Sequence, residues 1–243
     1  MSETETRPAY YALGPGGLRE VWTLLHPPFT AWHLSYVVIG ACLAPRVSTE
    51  RLAATVIAFF LAVGIAAHAL DEMHGRPLRT SIPSPVLLVA SALGLGGAVV
   101  LGGLGVTQVG WTLVPFIVLG VFLVLAYNLE WLGGVVHTDA GFAAAWGSFP
   151  VLTSYVAQAS ELSVAAVLAS AVAFGLTCAQ RSLSNRARLI RRRATSATGQ
   201  LTLHSGSQPI DKQWLLQPIE QALRALSWSA MALAATLLVF RLA

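Results

Sequence analysis

The sequence predicts an all-helical bundle that crosses a membrane several times. Of its 243 residues, 55% are hydrophobic and 11% are charged, whereas charged residues make up about 25% of a soluble domain. The mean hydropathy of +0.66 agrees with a membrane protein. The alternating pattern of a membrane β-barrel is absent, and a chain in lipid must satisfy its own backbone hydrogen bonds. We therefore expect the spans to be α-helices.

Seven apolar stretches approach the roughly 20 residues that a helix needs to cross a bilayer. They are, in chain order, Pro28–Ala44, Leu52–Leu70, Pro85–Leu104, Trp111–Leu129, Ala140–Ala157, Leu162–Ala179 and Ala222–Phe240. Most of them are joined by short loops, whereas Asp71–Ser84 and Gln180–Gln221 are longer connections. The sequence therefore predicts a bundle of about seven transmembrane helices.

The chain divides into four parts on this pattern. Residues 1–27 are expected to form a cytoplasmic segment, residues 28–193 the main bundle, and residues 222–243 the final span. Between them, residues 194–221 begin with a stretch rich in Ser, Thr, Gly and Gln, which is typical of a mobile loop. Apolar residues then recur at near-helical spacing from Ile210 to Ile219, which indicates a helix lying on the membrane surface before the last span.

The basic residues predict the orientation of the chain. With the N-terminus in the cytoplasm, twelve of the 15 Lys and Arg residues lie on the cytoplasmic side, and Arg46, Arg51 and Arg241 lie on the other. Cytoplasmic loops of membrane proteins carry such an excess. We therefore expect an integral, multi-pass membrane protein with a cytoplasmic N-terminus, located in the plasma membrane if the source is prokaryotic.

The arginine run from Arg186 to Arg193 has two interpretations. No aromatic residues are interleaved with it to stack on bases, so a nucleic-acid partner is not expected. Arginines that follow a span attract anionic membrane lipids. Arg191, Arg192 and Arg193 are accordingly expected to contact lipid head groups.

A polar cluster at the end of the second apolar stretch is the strongest sign of a site. His68, Asp71 and Glu72 are spaced i, i+3 and i+4, so on a continuing helix they share one face. Ionisable side chains at the end of a membrane span cost free energy, so their presence there indicates a functional site. The alternative is a solvated helix end, in which the two carboxylates pair with Arg76 and Arg79.

Three segments carry a resemblance to a known family. HPPFTAWHLSYVVIGACLAP, then HALDEMHGRPLRT, and later AYNLEWLGGVVHTDAGFAAAWGSFPVLTSYVAQ follow one another as in the UbiA superfamily of intramembrane prenyltransferases. The chain resembles that family over about residues 20–193, with a shortened C-terminus. The resemblance implies a UbiA-like fold and transfer of a prenyl group from a polyprenyl diphosphate to an acceptor.

The resemblance also implies roles for residues of the polar cluster. In the family, two aspartate-rich motifs hold magnesium ions on the diphosphate, where they neutralise the charge of the leaving group. Asp71 matches the central aspartate of the first motif, with Glu72 beside it and His68 at the position of an earlier aspartate. We therefore expect a single Mg²⁺ site at Asp71 and Glu72, and a catalytic role for Asp71, Glu72 and His68.

The second motif departs from the family pattern. Its place is taken by AQRSLSNRARLIRRR, which has no carboxylate. Because a guanidinium can hold phosphate oxygens directly, Arg181, Arg186 and Arg188 are expected to bind the diphosphate. Tyr127 and Asn128 match a family region that lines the substrate pocket and are expected to contact substrate.

Other functions stay open at this point. A UbiA-like protein that has lost catalysis would bind or transport an isoprenoid or another lipid. A histidine-ligated metal enzyme is disfavoured because the six histidines include no HxxH or HxxxH pair. If the chain is an enzyme, Glu130 and Asp139 are candidates for removing the acceptor's proton.

Overall fold

A computed structural model describes residues 7–243, apart from the side chain of Leu132. Its helices are α1 Leu18–Leu24, α2 Pro27–Cys42, α3 Thr49–Phe59, α4 His68–Met73, α5 Ser84–Val109, α6 Val114–Asn128, α7 Trp131–Gly134, α8 Asp139–Ala143, α9 Phe149–Ala159, α10 Val164–Arg193 and α11 Lys212–Leu242. Strands β1 Thr198–Leu203 and β2 Gly206–Asp211 pair in antiparallel register. The π-helical segments Phe60–Ala67 and Ala144–Ser148 join α3 to α4 and α8 to α9, and a 3₁₀ turn, Trp111–Leu113, precedes α6.

Within residues 7–243, five helices are long and apolar enough to cross a membrane. They are Thr49–Met73, Ser84–Val109, Trp111–Asn128, Val164–Arg193 and Lys212–Leu242. This confirms a multi-pass helical membrane protein. The other two expected spans correspond to α2, which has only 16 residues, and to residues 139–159, which include Ser148, Thr153 and Ser154. The count of seven therefore stays a prediction.

α2 and α9, which are not among the five long apolar helices, form the centre of the bundle. α2 packs against both α9 and α11, and nearly every residue of α9 is buried. α2 and α9 meet at Gly40, where an added Cβ would lie 2.2 Å from Ser154 Oγ. The outer helices expose apolar side chains such as Leu93 on α5 and Val172 on α10. The hydroxyl groups are thus inside and the apolar groups outside, as a lipid solvent requires.

Residues 194–221 differ from the expected loop and surface helix. β1 and β2 form a hairpin there, and the segment predicted to lie on the membrane is the beginning of α11. Asp211 starts that helix, because its Oδ1 accepts a hydrogen bond from Trp214 N at 2.7 Å. α11 then continues through Pro218 to Leu242 without interruption. No separate surface helix precedes the last span in this described segment.

α10 also continues well beyond its predicted end at Ala179. It reaches Arg193, so the arginine run lies on a helix and not in a loop. A helix presents residues three and four apart on one face, which fixes where each guanidinium points. The continuation of α10 as a helix therefore determines the direction in which each of these arginine side chains extends.

Candidate functional site

A polar cavity of about 160 Å³ lies at the end of the bundle where α2 begins and α10 ends. Four of the six histidines contribute to its wall, together with four arginines and two carboxylates. These residues are His26, His33, His68, His137, Arg181, Arg188, Arg191, Arg192, Asp71 and Glu220. Residues Pro8 to Tyr11 of the N-terminal segment cover part of it. Ionisable side chains far apart in sequence therefore meet in one space, as in a binding site.

Asp71 lines the cavity and has no partner among residues 7–243. Its half-buried carboxylate makes no hydrogen bond or ion pair with any described residue, and Arg188 and Arg192 are the nearby cations that act on it. The expected alternative, pairing with Arg76, is not formed, because Arg76 donates to Ser84 Oγ at 2.7 Å and to the Ile82 carbonyl. A carboxylate kept without a partner in a cavity is a candidate ligand-binding group.

His68 lies beside Asp71 in the same wall. Its Nδ1 is 3.2 Å from the carbonyl oxygen of Gly64, within the π-helical segment that immediately precedes α4. Its ring stacks on His26 with centroids 4.3 Å apart. Because a carbonyl accepts only from an N–H, the neutral ring carries its proton on Nδ1 and its lone pair on Nε2.

Glu72 has a different role from the predicted one. Its side chain is fully buried and accepts hydrogen bonds from Leu78 N at 2.9 Å, Thr80 N at 2.8 Å and Thr80 Oγ1 at 2.9 Å. It does not line the cavity. The carboxylate therefore holds the loop after α4 in place, and its lone pairs are used there. Asp71 and His68 come together in the cavity without it.

The N-terminal segment is bonded to the cavity wall. The Tyr11 hydroxyl is hydrogen-bonded to His26 Nδ1 at 2.6 Å, and Arg192 Nε donates to the Pro8 carbonyl at 3.3 Å. Burial, with a smaller contribution from neighbouring His68, lowers the pKa of His26 well below its usual value. His26 is therefore neutral in the folded protein near pH 7.

The arginines of α10 divide into those that reach the cavity and those that do not. Arg188 lines it and donates to Asn185 Oδ1 at 2.6 Å and to Ser184 Oγ at 3.4 Å. Arg191 and Arg192, one turn further on, also line it, contrary to their expected place among lipid head groups. Arg186, expected to bind the diphosphate, is exposed and does not contribute to the wall. The helical repeat explains this division, since position 186 lies on another face.

Two arginines are bound to acidic side chains. Arg191 pairs with both carboxylate oxygens of Glu220 on α11, one of them at 2.8 Å. Arg181 Nε lies 2.9 Å from Asp139 Oδ1, and its guanidinium stands over the Phe142 ring at 4.5 Å. The bond from Arg181 holds the pKa of Asp139 below its usual range. No carboxylate of the described residues 7–243 is in contact with Arg188 or Arg192.

The predicted contacts Tyr127 and Asn128 both line the cavity. Tyr127 Oη accepts from Arg181 at 3.1 Å, and its ring stacks on His137 at 4.4 Å. Asn128 Nδ2 donates to Val124 O at 2.7 Å within its own helix. Of the two predicted bases, Glu130 is exposed outside the cavity, and Asp139 is committed to Arg181 and Asn185.

A second cavity, of about 260 Å³, adjoins the first deeper in the bundle. It lies among α3, α5, α6 and α9, and its wall is mostly apolar, with Ala62, Leu95, Phe116 and Phe149 among its residues. Val63 and Trp146 belong to both walls. Each stands in one of the two π-helical segments, a local structure frequent at functional sites. The polar cavity and the apolar cavity thus share part of their walls.

Sequence reasoning missed several residues of this wall. His26, His137, Tyr11, Gln180 and Arg192 all contribute to it. One signal was available for the two histidines, because both stand near a predicted span end on the same side as His68. The position of Arg192 in the wall depends on the extension of α10 beyond its predicted end. The positions of Gln180 and Tyr11 depend on tertiary packing, which the sequence pattern does not indicate.

No group of three or more His, Cys, Asp and Glu side chains within residues 7–243 is arranged to hold a metal ion by itself. Comparison with protein-family models, with curated proteins and with solved structures finds no match. The resemblance to the UbiA superfamily therefore stays a prediction from the sequence.

Proposed function

We propose that the protein is a UbiA-like intramembrane prenyltransferase that takes a polyprenyl diphosphate into the two neighbouring cavities. The single observation that supports the proposal is that an arginine-lined polar cavity and a mostly apolar cavity share the wall residues Val63 and Trp146. A prenyl diphosphate has the same division, with an anionic head group and a hydrocarbon tail. The head group would bind among the arginines and the tail would fill the apolar cavity.

The arginines suit the proposed chemistry. Transfer breaks the bond between the allylic carbon and the diphosphate oxygen, so negative charge grows on the leaving group. Arg188 and Arg192 contact no carboxylate in the part of the chain that the structure describes, and guanidinium groups stabilise such charge through bidentate hydrogen bonds. Arg181 is a positioning residue in this proposal, since its guanidinium fixes Tyr127 and α8.

A single Mg²⁺ also fits this site when substrate is bound. Magnesium is commonly held by one or two carboxylates together with substrate phosphates and water. Asp71 is the carboxylate that would hold it, because Glu72 is committed to its loop and Glu220 to Arg191. The ion would neutralise part of the leaving-group charge.

Binding without turnover is the second candidate function. One carboxylate in the cavity without a partner, in place of two aspartate-rich motifs, favours a protein that binds or transports an isoprenoid or another lipid. The two candidates share the head-group site and differ in whether diphosphate is released.

Binding of geranylgeranyl diphosphate to the purified protein tests the head-group site. Arg188→Ala should weaken binding by about 10- to 100-fold, the effect of removing a charged hydrogen-bond partner. Arg186→Ala is the matched control on the same helix, and its affinity should stay close to the parent's because its side chain is outside the cavity. Equal losses in the two variants would mean a diffuse basic surface and no defined site.

The part played by Asp71 and magnesium is tested with the same ligand. Affinity for geranylgeranyl diphosphate should rise with Mg²⁺ in the parent and be insensitive to it in Asp71→Asn. Release of diphosphate during incubation with a panel of acceptors would identify an enzyme, and saturable binding without release would favour the second candidate.

A further inference from the structure

Residues 8–12, here called the strap, lie across part of the polar cavity. The first four of them belong to the cavity wall, and the fifth, Ala12, is fully buried. The strap is part of no helix or strand. Its position therefore depends on individual side-chain contacts and single hydrogen bonds.

Groups of the strap occupy positions that a bound anion would use. The Pro8 carbonyl accepts the Nε hydrogen of Arg192 at 3.3 Å, and a phosphate oxygen takes that hydrogen only when the carbonyl has left. Burial raises the pKa of Tyr11, and nearby Arg192 and Arg188 oppose that rise. The Tyr11 hydroxyl therefore lies close to both guanidinium groups, so the strap and an anionic head group compete for one space.

The contacts that hold the strap are few and individually weak. The Tyr11 hydroxyl is hydrogen-bonded to His26 Nδ1 at 2.6 Å, and its ring meets the Phe29 ring edge-on with centroids 5.6 Å apart. The Arg224 guanidinium lies over the Tyr10 ring at 4.9 Å. A diphosphate forms charge-assisted hydrogen bonds, which are roughly twice as strong as neutral ones. A bound diphosphate therefore offsets the loss of these contacts.

The closed strap also leaves two polar atoms without a partner. Tyr10 Oη and His26 Nε2 are buried in the cavity wall, and neither forms a hydrogen bond with any described residue. Such atoms are rare in folded proteins because each lowers stability. Release of the strap exposes them to water, which removes that cost and favours opening.

A glycine-rich loop joins the strap to α1. Gly16 and Gly17 have φ values of +111° and +50°, and a Cβ added at either, or at Gly14, would meet no described atom within 4 Å beyond its chain neighbours. One hydrogen bond, from Leu13 N to Thr23 Oγ1 at 2.9 Å, fixes the base of the strap. An uncrowded loop of this kind absorbs backbone rotation and allows the strap to move as a unit.

We propose that the strap is an autoinhibitory contact, which an anionic head group must displace from the arginine end of the polar cavity before it binds. The proposal rests on the proposed function in one respect, because it needs an anion site at Arg188 and Arg192. It needs neither a prenyl tail nor catalysis. The apparent affinity of the resting protein is then lower than the intrinsic affinity by the fraction of molecules whose strap is open.

Inorganic pyrophosphate, which has no tail, is the probe for this competition. Its dissociation constant is measured by calorimetry on the full-length parent, Tyr11→Phe, Tyr11→Ala and the control Tyr155→Phe, a buried tyrosine at the end of the bundle away from the polar cavity. Tyr11→Phe removes one hydrogen bond of the strap and should bind about twofold to tenfold more tightly than the parent. Tyr11→Ala should bind more tightly still, and Tyr155→Phe should match the parent.

The opposite results would overturn the proposal. Weaker binding by the Tyr11 variants would make Tyr11 a part of the anion site, and equal affinity in all four proteins would mean that the strap does not compete. An equal gain in Tyr155→Phe would show that the gain does not come from release of the strap.

A cysteine at position 12 detects release of the strap directly. With Cys42 and Cys178 replaced by Ala, Ala12→Cys should react slowly with a maleimide in the resting protein, because Ala12 is fully buried. Saturating pyrophosphate should speed this reaction about fivefold or more by raising the open fraction. Ala166→Cys, fully buried at the other end of the bundle, should stay slow throughout. An unchanged or slower reaction at position 12 would show that the strap stays closed over the anion and would overturn the proposal.

Geranylgeranyl diphosphate separates this proposal from the proposed function. If Tyr11→Phe improves pyrophosphate binding but the prenyl compound binds no more tightly than pyrophosphate, the prenyltransferase proposal fails and the strap proposal stands. If the prenyl compound binds tightly and equally to the parent and both Tyr11 variants, the strap proposal fails and the proposed function stands. Absence of pyrophosphate binding in every variant would overturn both.

Discussion

Two buried glutamines at opposite ends of the bundle differ in their hydrogen bonding. At the end away from the polar cavity, Gln158 bonds both amide atoms to the backbone of Ser48, at 2.8 and 3.3 Å. Arg51 donates there to the carbonyls of Gln158 and Gln108. At the cavity end, the Gln180 oxygen and the Asp71 carboxylate have no partner among the described residues. The Gln158 amide therefore stabilises the fold, whereas the Gln180 oxygen and the Asp71 carboxylate have no such role in the described structure.

The same contrast separates two consecutive carboxylates. Glu72 accepts three hydrogen bonds from its own loop, whereas Asp71 accepts none from the described residues and faces the cavity. Residue type and helix position hardly differ between them. What differs is whether the surrounding chain supplies donors, and this decides between a structural role and a functional one.

The largest expected effect concerns which end faces the cytoplasm. With Cys42 and Cys178 removed, a cysteine at Ser196, beside the hairpin, should be protected from impermeant thiol reagents in intact cells. A cysteine at Thr49, at the opposite end, should be labelled, because the arginine-rich end is expected inside. The reverse labelling pattern would place the head-group site on the outer side.

Removing one carboxylate of the consecutive pair should have a large effect on stability, and removing the other a small one. Glu72→Ala leaves three donors of the loop after α4 without an acceptor, so the free energy of unfolding should fall by about 3 kcal/mol or more. Asp71→Ala should change it little, because no partner is lost. Unfolding in detergent measures both, and equal losses would contradict the division of roles.

At the opposite end, Gln158→Met should destabilise the protein. It leaves Ser48 N without its acceptor, which should cost about 1–3 kcal/mol. The same substitution at Gln180 should not lower stability, so the two melting temperatures compare the two ends directly. Similar losses at both positions would show that Gln180 has an unrecognised structural partner.

The smallest expected effect is a dependence of stability on pH at His26. Its pKa is lowered by burial, and it faces Tyr11, His68, His33, Arg188 and Arg192. The unfolded chain takes up the proton first, below about pH 6.5. The stability contribution is therefore complete above that pH and is lost as the pH falls.

Melting temperatures between pH 7 and 5 check this expectation. They should fall less steeply in His26→Asn than in the parent, and Asn is chosen because position 26 has the left-handed backbone conformation that Asn tolerates. His204→Asn, in the exposed hairpin, is the matched control and should follow the parent. If the melting temperatures of all three proteins depend on pH in the same way, His26 does not contribute to the pH dependence of stability.

The class of the protein and the general position of its candidate site could be predicted from the amino-acid pattern alone. Composition and apolar run length predicted a helical membrane protein, and five long apolar helices confirm that class. The cluster that ends the second apolar run did lead to the cavity, through His68 and Asp71. These properties are local, since hydrophobicity and helical spacing are set by neighbouring residues.

The contacts of each polar residue could not be predicted, because they depend on how distant segments pack. Asp71 and Glu72 share a predicted helix face, yet only Glu72 accepts hydrogen bonds from the loop after α4. Arg186 and Arg192 belong to one basic run, yet only Arg192 reaches the cavity, because α10 continues through it. Gln158 and Gln180 are both buried, yet only Gln158 meets donors and acceptors. Whether a buried polar group finds a partner depends on segments distant in sequence, and the local pattern does not contain that information.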